Sequence, residues 1–315
     1  MSLACHALGA WVWPRKQSAA VLATLLLLLW AGQARAVPPE IAATASLLLP
    51  GGGQAINGDF PEGGLQFVTA VVLVTNYTRL IEDDRYIQIK DRTDEQNKEI
   101  DTNRVTFEAD LYGTALLSLA LYSSFGAYRD ARQARNNAGY STPAPTESLG
   151  ELAAAPFTTA YLFRLTTWVP LIFPFLFAVT DADDDRFLFR PDNTISRDEM
   201  RVGYFGVHEM VAVGEESFFR GFLNNGFSST LGRGYGLALS STLFGLAHEG
   251  DGAQATPLGA ALFGLYVGYL QQENDYRIGQ GVAIHFWWNY LVTLGMLKDR
   301  EPNQIVQIYA TSYRF

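Results

Sequence analysis

The chain has 315 residues, of which 48% are hydrophobic and only 17% are charged, and its net charge is −9. This acidic balance argues against nucleic-acid binding through phosphate contacts. The charge is also unevenly spread, because residues 82–104 and 181–201 hold a large share of it and long stretches between them hold almost none. Such segregation is typical of membrane-spanning segments joined by polar loops.

The N-terminus has the pattern of an export signal. Arg15 and Lys16 form a positive flank, a leucine-rich core follows at 19–29, and residues 34–36 offer a small-x-small cleavage site. Residues 1–36 are therefore predicted to be a signal peptide or, if uncleaved, a signal anchor. Either form would send the chain to a membrane.

Cysteine and histidine counts limit the chemistry that the rest of the chain can perform. The only cysteine, Cys5, lies in the leader, so we expect no disulfide, cysteine nucleophile or zinc–thiolate site after it. Of the four histidines, His6 is also in the leader. His208, His248 and His285 remain for imidazole chemistry.

Apolar segments alternate with polar loops after the leader, and residues 141–150 have the composition of a linker. Since a span needs about 20 residues, the sequence predicts an all-α polytopic bundle of about seven transmembrane helices. The short loops between the last four segments favour antiparallel packing. The predicted segments are 65–75, 112–128, 157–179, 201–224, 234–248, 256–271 and 279–297.

Two adjacent glutamates interrupt the first of the last four apolar segments. Neighbouring residues differ by about 100° around a helix, so Glu215 and Glu216 are expected to have different roles. Glu216 and Arg220 lie four apart on one face, in the favourable order for an ion pair. Glu215 is then free to act as a base. An interfacial helix with a surface salt bridge is the structural alternative.

Two later segments carry imidazoles. His248 ends one apolar segment, four residues after Phe244, and His285 lies four residues before Asn289, on one helix face. A capping histidine and a packing His–Asn hydrogen bond are the structural alternatives. Under those alternatives, burying each polar group would cost desolvation energy for a separate reason. One site at which the groups converge explains the burial of all of them.

Taken in order, these motifs resemble the CAAX prenyl protease and bacteriocin-processing (CPBP) family of intramembrane proteases. The motifs are EExxxR at 215–220, FxxxH at 244–248 and HxxxN at 285–289. The resemblance covers about residues 199–297, whereas residues 37–198 resemble nothing that we can align. Neighbouring residues that also match are Phe219, Gly221, Gly245 and Trp288.

The resemblance implies an endopeptidase that works within the membrane. It implies that Glu215 and His248 bind and deprotonate the attacking water, and that His285 and Asn289 stabilise the oxyanion. The residue types agree with these roles, because a buried carboxylate with a raised pKa is a competent base near neutral pH. Neutral imidazole and amide donors suit a tetrahedral intermediate, each contributing roughly 3 kcal/mol.

The resemblance assigns Glu216 and Arg220 to supporting positions and leaves metal dependence open. We expect no cofactor. The alternative is a zinc set with two histidines and one carboxylate, formed by Glu215, His248 and His285, with an open fourth position.

Two other classes of function use the same residues. A non-catalytic membrane immunity or scaffold protein would use the cavity for binding, and a transporter would use the buried charges as a proton relay. We expect membrane lipid and a peptide or protein substrate as partners, and a multi-pass location in a bacterial inner membrane. The predicted division is 1–36 leader, 37–198 N-terminal membrane region, 199–297 CPBP-like protease core and 298–315 tail.

Overall fold

The computed structural model describes residues 37–90, 99–180, 188–248 and 256–298. The predicted leader 1–36 and nearly all of the predicted tail lie outside the described residues. The described part of the chain is mostly helical, which confirms the all-α class.

Four helices come first, and the third of them is long. Asp59 caps this third helix, α3 (Phe60–Ile81): its carboxylate accepts the backbone N–H of Glu62, and a proline lies in the first turn. Both features favour a helix start. The predicted segment 65–75 is the middle of this helix. The four helices are α1 Pro39–Leu48, α2 Gly52–Ile56, α3 Phe60–Ile81 and α4 Asp84–Lys90.

The longest helix, α5 (Arg104–Ala134), contains the predicted segment 112–128 and begins with a capping box between Asn103 and Thr106. Before it lies the strand β1 (Glu99–Thr102), which pairs in parallel with β2 (Leu188–Pro191). The sequence analysis did not predict this small sheet. Its strands are only four residues long, too short for a clear alternating pattern.

The predicted segment 157–179 is broken into several elements. Arg164 lies at the break and donates hydrogen bonds to Asn274 and Gln280, 2.7 and 2.8 Å away. The main helix therefore starts at Leu165, after the charged side chain. The elements here are α6 Leu149–Ala154, the 3₁₀ turn Ala155–Phe157, α7 Thr159–Leu162 and α8 Leu165–Val179.

The C-terminal part contains the last four predicted segments, three of which carry the motifs. The bounds of the last three agree closely with prediction, whereas the first runs from Arg197 to Leu231 and is not one continuous α-helix. It changes to a π-helix at Glu216 and back to an α-helix at Asn225. The elements are β2, α9 Arg197–Glu215, the π segment Glu216–Asn224, α10 Asn225–Leu231, α11 Arg233–Ala247, α12 Pro257–Glu273 and α13 Gly279–Met296.

The seven-span bundle is not confirmed. Among the described residues, only α3, with 22 residues, is both long and apolar enough to cross a membrane, and length and composition alone are weak evidence. α8 has 15 residues and contains Pro170 and Pro174. At 1.5 Å per residue it is about 22 Å long, short of a hydrocarbon core of about 30 Å. Large exposed apolar side chains nevertheless occur on α3, α8, α11 and α12, among them Leu65, Val68, Phe173, Leu239 and Leu262.

Helix α9 lies between α5 on one side and α13 on the other. One core cluster joins all three through Phe125, Val213 and Phe286, which are buried. The N-terminal region, for which the sequence offered no alignment, therefore supplies the wall against which the motif helices pack. The site lies where α9 ends beside α11, α12 and α13.

Candidate active site

The glutamates lie where α9 passes into the π segment. Glu215 is the last residue of α9 and Glu216 the first of the nine-residue π segment. Two glycines let this region approach α5 closely. A Cβ on Gly214 would lie 2.8 Å from Ser118 Cα, and one on Gly221 would lie 2.4 Å from the Phe125 ring. The π segment is therefore held directly against α5, and π-bulges often occur at functional sites.

The predicted ion pair is present and buried. Arg220 Nη1 lies 3.1 Å from Glu216 Oε1, and both side chains are almost completely inaccessible. The guanidinium carbon also lies 4.2 Å from the centre of the Phe244 ring. Gly264 on α12 leaves the space that the guanidinium fills, since a Cβ there would lie 3.3 Å from Arg220 Nη2. A surface salt bridge does not describe this arrangement.

Glu216 also binds His285. The Nδ1 atom of His285 lies 2.8 Å from Glu216 Oε1, the oxygen that pairs with Arg220. An ionised carboxylate only accepts hydrogen bonds, so Nδ1–H is the donor in this assignment. The Nε2 atom then carries a lone pair in the neutral ring, and it lies 3.7 Å from Glu215 Oε2.

His248 is oriented in a similar way by the backbone. It follows the last residue of α11, and its Nδ1 donates a 2.7 Å hydrogen bond to the Phe244 carbonyl oxygen. A carbonyl oxygen can only accept, so Nε2 of the neutral ring is left with its lone pair. This Nε2 atom lies 3.8 Å from Glu215 Oε2.

Glu215 is thus the point on which both imidazoles converge. Its Oε2 atom is buried, and it has no hydrogen-bond partner among the described residues. The separations of 3.7 and 3.8 Å from the two Nε2 atoms exceed a direct hydrogen bond. Glu215 and His248 each keep 18% of their side-chain surface exposed, so the site is reachable from one side.

Asn289 lies one turn beyond His285 on α13 and is partly buried. Within the described part of the chain its side chain forms no hydrogen bond. The structure therefore brings Glu215, His248 and His285 together, and it places Asn289 one turn beyond His285 on α13.

An aromatic wall adjoins the imidazoles. The Phe263 ring lies 5.4 Å from the His285 ring, and Trp288 lies 5.5 Å from Phe263. Phe244 lies 4.4 Å from the His248 ring. These rings form an apolar environment, in which the polar interactions of the site are stronger than in water.

Two supporting residues were not predicted from the sequence. Glu147, from the predicted linker, accepts the backbone N–H groups of Ile278 and Gly279, each at 2.8 Å, and so caps α13. Burial raises the pKa of the Glu147 carboxyl, and these two hydrogen bonds lower it by less, so the pKa stays above its usual value. Gln271 donates to the Arg220 carbonyl oxygen at 2.8 Å, inside the π segment. Neither residue belongs to a motif, so only tertiary contact identifies it.

The zinc alternative required Glu215, His248 and His285 to act as metal ligands. In the described ranges, no group of three or more His, Cys, Asp and Glu side chains is arranged to hold a metal ion.

Comparison with protein families gives one match. Residues 201–291 match the model described as type II CAAX prenyl endopeptidase Rce1-like, within the predicted core 199–297 and including every motif residue. Comparisons with curated proteins and with solved structures gave no significant match. The matched family is one of membrane proteases. The resemblance predicted from the three motifs is therefore confirmed for residues 201–291, which are similar to the type II CAAX prenyl endopeptidases of the Rce1-like family.

Proposed function

We propose that this protein is a membrane endopeptidase that cleaves peptide bonds with a water molecule activated by Glu215 and His248. One observation carries the proposal. Glu215 Oε2 faces the Nε2 atoms of both His248 and His285 at 3.8 and 3.7 Å, in a buried position where it has no other described partner. A single water bonded to two such atoms at about 2.8 Å from each fits these separations.

Glu215 Oε2 and His248 Nε2 can each accept a proton, as general-base catalysis requires. A water between Glu215 Oε2 and His248 Nε2 donates to a carboxylate and to an imidazole lone pair. As the water oxygen attacks the carbonyl carbon, its proton passes to one of these two bases. The proton then moves to the departing amine nitrogen when the tetrahedral intermediate collapses and the C–N bond breaks.

His285 and Asn289 donate hydrogen bonds to the oxyanion in this proposal. The sequence led us to expect a neutral imidazole donor, but the observed hydrogen bond requires a doubly protonated ring. His285 Nδ1 already donates to Glu216, so Nε2 donates to an oxyanion only when the ring carries a second proton. The Glu216 carboxylate, 2.8 Å from Nδ1, stabilises that charged ring. The Asn289 amide, one turn along α13, supplies a neutral donor beside it.

We also propose that the helical bundle is embedded in a membrane and acts on a peptide or protein substrate there. The exposed apolar faces of α3, α8, α11 and α12 support this location, since large exposed patches usually meet a partner or lipid. The Rce1-like match of residues 201–291 supports peptide-bond hydrolysis over a transport or scaffold role.

A comparison of membrane proteomes tests the proposal. Cells that produce the wild-type chain, Glu215→Gln, His248→Ala or the control Glu209→Gln are compared. Glu209 lies on α9, nearly two turns before Glu215. We expect the same shortened proteins in wild-type and Glu209→Gln membranes, and their uncleaved precursors in the other two. Unchanged cleavage with Glu215→Gln would refute the proposal, and a binding function that survives Glu215→Gln would identify a scaffold protein.

A further inference from the structure

The structure contains a second polar contact between α9 and α13, which the proposed chemistry does not use. His208 is 4% exposed and shares a 2.7 Å hydrogen bond from Nε2 with the Thr293 hydroxyl. Its other ring nitrogen, Nδ1, is buried without a hydrogen-bond partner among the described residues. A buried, unpaired nitrogen destabilises the fold, and an apolar side chain at this position would avoid that cost. The hydrogen bond to Thr293 is what histidine provides here and an apolar side chain would not.

The two polar contacts between these helices have matching spacings. Glu215 follows His208 by seven residues on α9, which is about 10.5 Å along the helix axis. Thr293 follows His285 by eight residues on α13, or about 12 Å. Glu215 contacts His285, and His208 contacts Thr293. The helices therefore run antiparallel, and their register differs by only one residue between the two contacts.

Asn289 lies midway between these contacts on α13. It is four residues from His285 and four from Thr293, so the three side chains follow one stripe of the helix. Asn289 has no described hydrogen bond of its own that would fix its position along the axis of α13 relative to Glu215. The contacts on either side of it, Glu215–His285 and His208–Thr293, fix that position instead. A shift of α13 along α9 would displace the Asn289 amide and the His285 ring together.

We propose that His208 and Thr293 are positioning residues that fix the register of α13 against α9, so that Asn289 and His285 face the substrate carbonyl opposite Glu215. This role rests on the proposed function. His208 is far enough along α9 to touch no reacting atom, and it acts through Thr293. Tyr204, one turn earlier on α9, stacks on the His208 ring with centroids 5.7 Å apart, and it packs in turn against Phe107 of α5 and Phe189 of β2.

Matched variants test the proposal in the full-length protein, purified and supplied with a cleaved peptide. Glutamine places its amide nitrogen near the position of histidine Nε2, whereas asparagine places it near Nδ1. We expect His208→Gln and Thr293→Ser to keep nearly full kcat. We expect His208→Asn and Thr293→Val to lose roughly 10- to 100-fold in kcat, with KM nearly unchanged, since small displacements of positioned groups cost this much.

Two controls separate positioning from simple stabilisation. Ser123→Ala removes a buried hydrogen bond between α5 and α3, to Gln66, and should lower the melting temperature without lowering kcat. The double variant His208→Asn/Thr293→Val should lose no more kcat than either single variant, because both break one contact.

The proposal is overturned if His208→Asn has wild-type kcat, if it raises KM instead, or if its only effect is a lower melting temperature. None of these results affects the proposed function, which the Glu215→Gln variant tests separately.

Discussion

Glu216 and His285 are 69 positions apart in the chain, and they are joined by a 2.8 Å hydrogen bond from Nδ1 to a carboxylate oxygen. The same oxygen lies 3.1 Å from Arg220. A motif that looks local, a glutamate paired with an arginine four residues later, is thus also the support of an imidazole from the last described helix. The bond directs His285 Nε2 toward Glu215.

Replacing Glu216 with glutamine tests this support. The amide keeps the shape of the side chain but no longer stabilises a protonated His285, and it leaves Arg220 buried without its counter-charge. We expect kcat to fall at least 10-fold, and stability to fall by about 3 kcal/mol or more. The measurements are kcat and thermal unfolding of the purified protein.

The double variant Glu216→Gln/Arg220→Met separates the two effects. It should recover much of the stability, because no unpaired charge remains buried, yet it should stay inactive. If it regains activity as well, Glu216 contributes to folding rather than to the orientation and charge of His285.

Gly281 provides a steric test of the same contact. A Cβ there would lie 2.6 Å from Val267 Cγ1 and 3.1 Å from Glu216 Oε2. The rotamer of a buried valine is restricted, so Gly281→Ala should shift α13 or displace the Glu216 carboxylate. We expect a loss of activity and a lower melting temperature. Gly234→Ala is the control, since a Cβ there meets no described atom within 4 Å, and it should be neutral or slightly stabilising.

Metal removal tests whether side chains alone activate the water. We predict that dialysis against a strong chelator leaves kcat unchanged, since Glu215 Oε2 and His248 Nε2, 3.8 Å apart, can bind and deprotonate a water between them. The measurement is activity before and after dialysis, with metal content determined in parallel. Loss of activity that added zinc restores would contradict a metal-independent reaction.

Glu147 tests the contribution of the N-terminal region to the site. Glu147→Ala removes the acceptor for the backbone N–H groups of Ile278 and Gly279, which are buried. Unpaired buried donors cost about 1–3 kcal/mol, so we expect a clear drop in thermal stability. Glu151→Gln, which changes an exposed capping box on α6, should have a much smaller effect. Equal effects of the two variants would show that Glu147 is not a specific cap of α13.

Local patterns predicted much of the site. The i,i+4 spacing of Glu216 and Arg220 correctly placed both residues on one face, and the different direction of Glu215 followed from the helix angle. The boundaries of α11, α12 and α13 also agreed closely with the apolar segments, because Gly, Pro and Asn mark their ends.

Other features depend on contacts between distant parts of the chain. The π segment after Glu215 has no signal in the apolar periodicity, and it depends on close packing against Ser118 and Phe125. The cap by Glu147 and the contact of His208 with Thr293 also join separate helices. The predicted number of spans is not confirmed, since α3 alone among the described helices is both long and apolar enough to cross a membrane, and α8, with 15 residues, covers only part of the predicted segment 157–179.

The most direct test of the account is a single-turnover cleavage in ¹⁸O-labelled water, using the purified full chain and a peptide identified from the membrane comparison. The account predicts one ¹⁸O atom in the new carboxyl terminus with the wild-type protein and with Glu209→Gln. It predicts no cleavage with Glu215→Gln. Cleavage by Glu215→Gln at the wild-type rate, or a new terminus without label, would contradict a water activated by Glu215.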